Sequence, residues 1–460
     1  MNRRLLINVV VAGIIIISFV IAFLVPERAQ QNGATEIGPI NGPLRVSKIN
    51  PRYFTDNSGK AIYLTGLHTF QTLQDEAKYV FNYDKWLDFM VAQKANHLRV
   101  WVTAGFYGVN PIPFDRTGPG KASDGGLKFD VGKLNQAYFD KLRRLVEQAE
   151  ARGIYVQIML TNGIFVNNLP DMWEQVAWNP INNVNGYALE RTDLFTMKNR
   201  TWVDLADRYV DKVVDSVNDL DNVLYEVSNE ASIDSKAWQY HVIDRIHARE
   251  KQKPKQHPVG MGAFDYRTPD APQNAELLGS DAEFYSLSWR NIDFTPPVAD
   301  GKKVSILDSD HVWGFPLKPA PKNYGDWIWK AFTRGHNPIY LDTYILPNYR
   351  RYPPDKQLRN AIGYARTMAN KIDLDHMIPD TSVCSTGFAL VNADTEYLIY
   401  QPAHASFTVM LPAKTFRFEW LNPTNGKITD TGTMTATAGQ NTFVLPKSYT
   451  HGAVLHLATD

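Results

Sequence analysis

Val223-Leu224-Tyr225-Glu226-Val227-Ser228-Asn229-Glu230-Ala231 is a short apolar run that stops at an amide followed by a carboxylate. Runs of this kind, rich in β-branched and aromatic residues and closed by polar ones, read as buried strands. The pattern recurs on both sides of it. Candidate strands at 61–66, 97–102, 154–160, 222–227, 258–262, 283–287, 304–307 and 338–341 alternate with helical patterns, clearest at 138–152, 202–217 and 357–371. In 138–152, Leu142, Leu145, Val146 and Ala149 fall at helical spacing and form one apolar face. Eight strands alternating with helices predict an α/β fold, a (β/α)8 TIM barrel. A doubly wound open sheet is the competing architecture, but no glycine-rich phosphate turn opens the first unit.

The flanks of this region differ in texture. Arg45-Val46-Ser47 and Tyr53-Phe54-Thr55 bracket Asn50-Pro51-Arg52 and read as a hairpin ahead of the barrel. After Ile372, short alternating runs at 388–392, 397–400, 406–411, 415–421, 441–445 and 453–457 are separated by turn clusters such as Asn422-Pro423-Thr424-Asn425-Gly426. They predict a small antiparallel β-sandwich. At the other end, Asn2-Arg3-Arg4 precedes residues 5–25, in which only Asn8 and Ser18 are polar. As a helix that run spans roughly 32 Å, enough to cross a bilayer. No small-x-small cleavage site follows it, which favours an uncleaved signal-anchor over a cleaved signal peptide. With Arg3 and Arg4 held in the cytoplasm, the rest of the chain lies outside the membrane. The expected organisation is therefore an N-terminal transmembrane segment over 1–26, a linker over 27–41, a barrel over 42–375 and a sandwich over 376–460.

Composition narrows the chemistry. The chain has 460 residues, with Lys plus Arg and Asp plus Glu at 48 each, so it offers no field for a nucleic acid or other polyanion. Its one cysteine, Cys384, allows neither an intrachain disulfide nor a cysteine-based zinc site. Aromatic residues make up 12%, including 11 Trp and 22 Tyr, which suits stacking on flat sugar faces as well as a large core. Nothing in the sequence requires a cofactor.

In a barrel of this kind the C-terminal tips of the strands carry the chemistry. Glu230 stands at such a tip, and Asn229 beside it can hydrogen-bond a sugar hydroxyl, an arrangement suited to a general acid at a glycosidic oxygen. The bland reading of the pair is a helix cap or a salt-bridged loop. Three stretches together resemble the clan A glycoside hydrolases, retaining (β/α)8 enzymes such as family five. They are residues 45–66 as a floor hairpin leading into the first strand, Asn96-His97-Leu98-Arg99-Val100-Trp101 as the second-strand motif, and Tyr225-Glu226-Val227-Ser228-Asn229-Glu230 as the fourth-strand motif ending in the acid/base. Glu396-Tyr397-Leu398-Ile399-Tyr400 and Phe418-Glu419-Trp420-Leu421-Asn422-Pro423 resemble the collagen-binding-type module that follows many barrels of this clan.

The resemblance implies a second carboxylate, normally Glu, after the seventh strand, and here the chain departs from it. Between residues 270 and 345 the only glutamates are Glu276 and Glu283, and neither follows that strand. What stands there is Val304-Ser305-Ile306-Leu307-Asp308-Ser309-Asp310-His311-Val312-Trp313. Alternation in a strand aims Asp308 and Asp310 to one side and Ser309 and His311 to the other. Either aspartate can partner Glu230, and strand length favours Asp308. A shorter side chain widens the gap between the carboxyls, and that gap separates retention (about 5–5.5 Å) from inversion (about 6.5–9.5 Å). Arg99 is expected to keep the aspartate ionised, or alternatively to pair with Glu226 inside the barrel.

Further candidates line the same rim. His68 follows the first strand, and Asp342 and Tyr344 follow the eighth, with Asp342 a sugar ligand or reserve acid. Trp101, Trp178, Trp289 and Trp313 are stacking platforms or core residues. Asn182-Asn183-Val184-Asn185-Gly186 is a subsite wall or a plain turn. The expected function is membrane-anchored hydrolysis of an O-glycosidic bond in an oligo- or polysaccharide. The competing expectations are a barrel that binds carbohydrate without cleaving it, and a metal-dependent hydrolase built on Asp308, Asp310 and His311.

Overall fold

The computed structural model describes residues 38–69, 73–76, 81–101, 109–163, 170–264, 270–287, 295–309, 323–342 and 353–459. Eight parallel strands close into a barrel in chain order: Gly66–His68, Val-containing His97–Val100, Tyr155–Asn162, Val223–Asn229, Val259–Met261, Phe284–Tyr285, Val304–Ser309 and Asn337–Leu341. Closure is made where Leu341 pairs with His68 and Gly66 with His97. The fourth and seventh strands are buried along nearly their whole length, as a sheet covered by helices requires.

The first strand begins later than its sequence suggests. Ala61–Ile62 joins Arg45–Val46 and Phe54–Thr55 in a three-stranded antiparallel sheet, and the barrel strand starts only at Gly66. Between the two, side-chain amides replace the ladder: the Leu64 amide donates to Asn337 Oδ1 (3.1 Å) and the Thr65 amide to Asn96 Oδ1 (3.0 Å). At Gly66 a Cβ would lie 1.7 Å from the His97 carbonyl oxygen, so only glycine lets the first strand meet the second.

The helices start where asparagines cap them. Asn135 accepts from the Ala137 amide and opens Gln136–Glu150; Asn199 does the same for Arg200–Val217. Each therefore begins two residues before its first core-facing aromatic. Pro353–Ala369 opens on a proline, whose missing N–H costs nothing in a first turn. Leu142, Leu145, Val146 and Ala149 are buried, as their spacing predicts.

A hairpin of Phe114–Lys121 and Leu127–Leu134 follows the second strand. Its Asp-Arg-Thr-Gly-Pro-Gly stretch carries no alternating apolar signal, so it does not read as a strand. Arg116 secures it by lying over Phe129 (4.0 Å to the ring centroid), donating to the Leu127 carbonyl and pairing with Asp124.

Beyond the barrel, a six-stranded antiparallel sheet packs with the two-stranded sheet Phe407–Leu411 and Gly439–Phe443 around a common core that includes Ile399, Val409, Phe416, Trp420 and Leu455. The edge strand Ile428–Thr435 is almost wholly exposed and polar, which is why no hydrophobic pattern marks it. Among the described residues no helix is long and apolar enough to cross a membrane, and the 5–25 segment lies outside them.

Candidate active site

At the C-terminal mouth of the barrel the first, second, fourth and seventh strands deliver His68, Arg99, Glu226 with Asn229, and Asp308 to one cluster. Arg99 is its hub. The Arg99 Nε and one terminal nitrogen donate to the two Glu226 carboxylate oxygens at 2.6 Å each. The same terminal nitrogen donates to Asn229 Oδ1 (2.9 Å), and the other lies 2.9 Å from Asp308 Oδ2. Arg99 thus pairs with Glu226 inside the barrel and also reaches Asp308. Burial alone would lower its affinity for a proton, but Glu226 and Asp308 more than offset this and hold it a firm cation, with a smaller share from Glu230.

Asp308 takes a contact on each oxygen. Its Oδ2 faces Arg99, and its Oδ1 lies 2.8 Å from His68 Nε2. Burial pushes the carboxyl up, yet the His68 imidazole and the Arg99 guanidinium outweigh it and hold Asp308 below the ordinary carboxylate range. The side chains of His68, Glu226 and Arg99 are 0%, 2% and 3% exposed, whereas Asp308 is 16% exposed. Asp308 is the member of the group that opens toward solvent.

Glu230 leaves the fourth strand with φ 45° and is partly exposed. A left-handed conformation in a non-glycine residue costs about 1–3 kcal/mol and persists only where its surroundings enforce it. Here the third strand's exit does so. The Gly163 amide donates to the Asn229 carbonyl (2.7 Å), and a Cβ at 163 would fall 2.5 Å from Ala231 Cα. The turn that presents Glu230 is therefore clamped against a residue that has to be glycine.

The remaining candidates are placed as follows. Trp101 is 7% exposed, lies 5.2 Å from the Arg99 guanidinium and stacks on His68. Asn229 spends its amide on the protein, accepting from Arg99 and donating to Asn162 Oδ1 (3.1 Å), so it braces the Glu230 turn. The Asp342 carboxylate is 0% exposed and is gripped by Arg359 at 2.6 and 2.7 Å and by the Tyr340 hydroxyl, which locks the eighth strand to helix Pro353–Ala369. Trp178 packs edge-on against Phe114 and Trp202 in the core. The Asn182 and Asn183 amides donate to the local Val176 and Asn179 carbonyls at 3.0 Å each, whereas the Asn185 side chain ties this turn to the hairpin, donating to Asp130 Oδ1 (2.7 Å) and accepting from the Val131 amide (2.9 Å). Asp310, His311, Trp313, Tyr344 and Trp289 lie outside the described residues.

Two participants went unread in the sequence. Gln157 donates to Glu226 Oε2 (2.8 Å), and Asn162 meets Asn229. The available signal was polarity out of place: both sit in the largely apolar strand Tyr155–Asn162. Among the described residues no group of three or more His, Cys, Asp or Glu could hold a metal ion.

Comparison with solved structures gives the likeness of this fold. A glycoside hydrolase matches over 91% of this chain and 97% of its own length, with a TM-score of 0.63 and 14% identity. A glycoside hydrolase family 5 protein from Bacteroides vulgatus matches over 91% and 94%, with a TM-score of 0.61 and 14% identity. At that identity the likeness is one of fold: a TIM barrel followed by antiparallel β-sheets. A family model described as a domain of unknown function, DUF6298, matches residues 52–266, from the barrel floor through the fifth strand. No curated protein matches the chain.

Proposed function

We propose that this protein is a glycoside hydrolase that cleaves an O-glycosidic bond of an oligo- or polysaccharide, with Glu230 as acid/base and Asp308 as its partner carboxylate. The observation that carries the reading is Asp308 itself. It is a carboxylate at the exit of the seventh strand, held ionised by Arg99 and His68 and open to the barrel mouth. Glu230 stands at the exit of the fourth, near enough to contribute to the Arg99 cation. In the proposed reaction Glu230 protonates the leaving oxygen, while Asp308 either attacks the anomeric carbon or takes a proton from the attacking water. Arg99 keeps Asp308 charged for both roles. Glu226, fully engaged by Arg99 and Gln157, serves as a fixed counter-charge beneath them.

The solved structures that share the fold are named glycoside hydrolases, which supports the reaction class. The membrane setting follows from residues 5–25 and the basic pair before them, which we read as a signal-anchor leaving the barrel outside the cytoplasm.

Purified protein offered a panel of oligosaccharides should release reducing sugar. Glu230→Gln and Asp308→Asn should each lower kcat by about 100-fold or more, the usual share of a positioned acid or base. The anomer of the first-formed product, read by proton NMR, tells attack by Asp308 from attack by water. Sugar binding without turnover across the panel, or full activity in either variant, overturns the assignment. Recovery of the chain in the soluble fraction of cells overturns the anchor.

A further inference from the structure

The contacts on His68 decide where its proton sits. The Trp101 indole N–H donates to His68 Nδ1 at 2.6 Å, and His68 Nε2 lies 2.8 Å from Asp308 Oδ1. An indole nitrogen can only donate, so Nδ1 has to accept. The ring's hydrogen is then on Nε2, aimed at the aspartate. Stacking reinforces the arrangement, with the two rings 5.7 Å apart and inclined by 24°. The main chain is fixed too, because the Asp342 amide donates to the His68 carbonyl at 2.7 Å.

We propose that Trp101 and His68 are positioning residues for Asp308: Trp101 holds His68 in the Nε2–H tautomer, and that single N–H sets the orientation of the Asp308 carboxylate. This rests on the reading of Asp308 as the partner carboxylate. The physical gain is in charge. Asp308 already faces one full cation, Arg99, on Oδ2. A second cation on Oδ1 would add another charge-assisted bond and draw electron density from the group that has to attack or accept a proton. A neutral N–H orients Oδ1 without that penalty, as the outer partners of catalytic and metal-bound groups do elsewhere. The arrangement also gives Trp101 a use for its indole N–H that a sugar-stacking platform does not need.

The test uses the full chain, with 15N-labelled histidine and the His68 resonances assigned by their loss in His68→Gln. At pH 7 the wild type should show a pyridine-type Nδ1 and a pyrrole-type Nε2 for His68, and Trp101→Phe should convert this to a mixture of tautomers. In kinetics, His68→Leu should lose about 10–100-fold in kcat. His68→Gln, whose amide N–H can replace Nε2–H, should recover most of that loss. Trp101→Phe should lower kcat and leave KM in place. A proton on His68 Nδ1 in the wild type, equal defects in His68→Gln and His68→Leu, or a Trp101→Phe defect confined to KM overturns the proposal. The two readings fail separately. Full turnover in Asp308→Asn removes the catalytic assignment, while the tautomer is measured with no substrate present.

Discussion

Asp308 meets Arg99 and His68 from across the barrel mouth, and its charge is set by what surrounds it. The depressed proton affinity is a stability statement as well as a catalytic one. The native value lies below that of the unfolded chain, so between the two the unfolded state binds more protons and stability rises with pH. The contribution is present above the ordinary Asp value, about 3.9, and is lost as pH falls through the native value. Asp308→Asn should therefore be less stable than wild type at pH 7, with the gap in urea midpoint closing below about pH 4. A gap that stays constant across that range would mean the carboxylate is not held as the geometry indicates. At this scale Glu230, Arg99 and Asp308 are legible in the sequence because each ends or occupies a strand. The tie between Asp342 and Arg359 is not, since a carboxylate after a strand looks the same whether it faces a cleft or a helix.

Helices Arg200–Val217 and Lys236–Glu250 face each other through a graded row of ion pairs. His241 and Arg245 both reach Asp207 at 2.8 Å, Arg245 grips Asp211 at 2.7 and 2.9 Å, and Arg249 grips Asp215 at 2.6 and 2.9 Å. Exposure rises along the row: the Asp207 side chain is 7% exposed and that of Asp215 33%. Screening by water should rank the pairs accordingly. Arg245→Met leaves the nearly buried Asp207 with His241 alone and should cost about 1–3 kcal/mol. Arg249→Met acts on an exposed pair and should cost within about 1 kcal/mol. Urea unfolding of the two variants checks the order, and added salt should shrink the second effect more than the first. Equal costs would mean that the row acts as one surface network. Helix Arg200–Val217 is plain in the sequence from its period and its capping Asn199, but Lys236–Glu250 opens at Ser235, whose side chain makes no capping bond, and no clear period marks it. The row is half visible, as aspartates and basic residues each spaced by four, but only the fold shows that the two sets meet. Polar strands fare worse: Phe114–Lys121 and Ile428–Thr435 lack the alternation by which strands are recognised.

The change of texture after Ile372 announces a second architecture, yet nothing local in the sequence shows how closely it joins the first. Leu390, Leu398, Tyr400, Leu421 and Val454 of the antiparallel sheet belong to the same hydrophobic cluster as the barrel helices. Tyr400 is at the joint. It is fully buried, stacks on Trp329 of helix Asp326–Thr333 with ring centroids 6.2 Å apart, and donates its hydroxyl to Asp326 Oδ1 at 2.6 Å. Phe388 lies 4.5 Å beneath the Arg334 guanidinium beside it. Burial raises the Asp326 carboxyl, and the Tyr400 hydroxyl offsets part of that. A shared core of this kind makes the sheet a structural part of the barrel and couples the two in unfolding. Calorimetry of wild type should therefore give one transition at neutral pH. Tyr400→Phe, which keeps the ring but removes the hydroxyl that Asp326 Oδ1 accepts from, should cost about 1–3 kcal/mol. Tyr400→Ala should cost about 3–5 kcal/mol and lower the midpoint of that same transition. If Tyr400→Ala instead splits the trace into an unchanged barrel transition and a lowered second one, the sheet is an independent module carried beside the barrel.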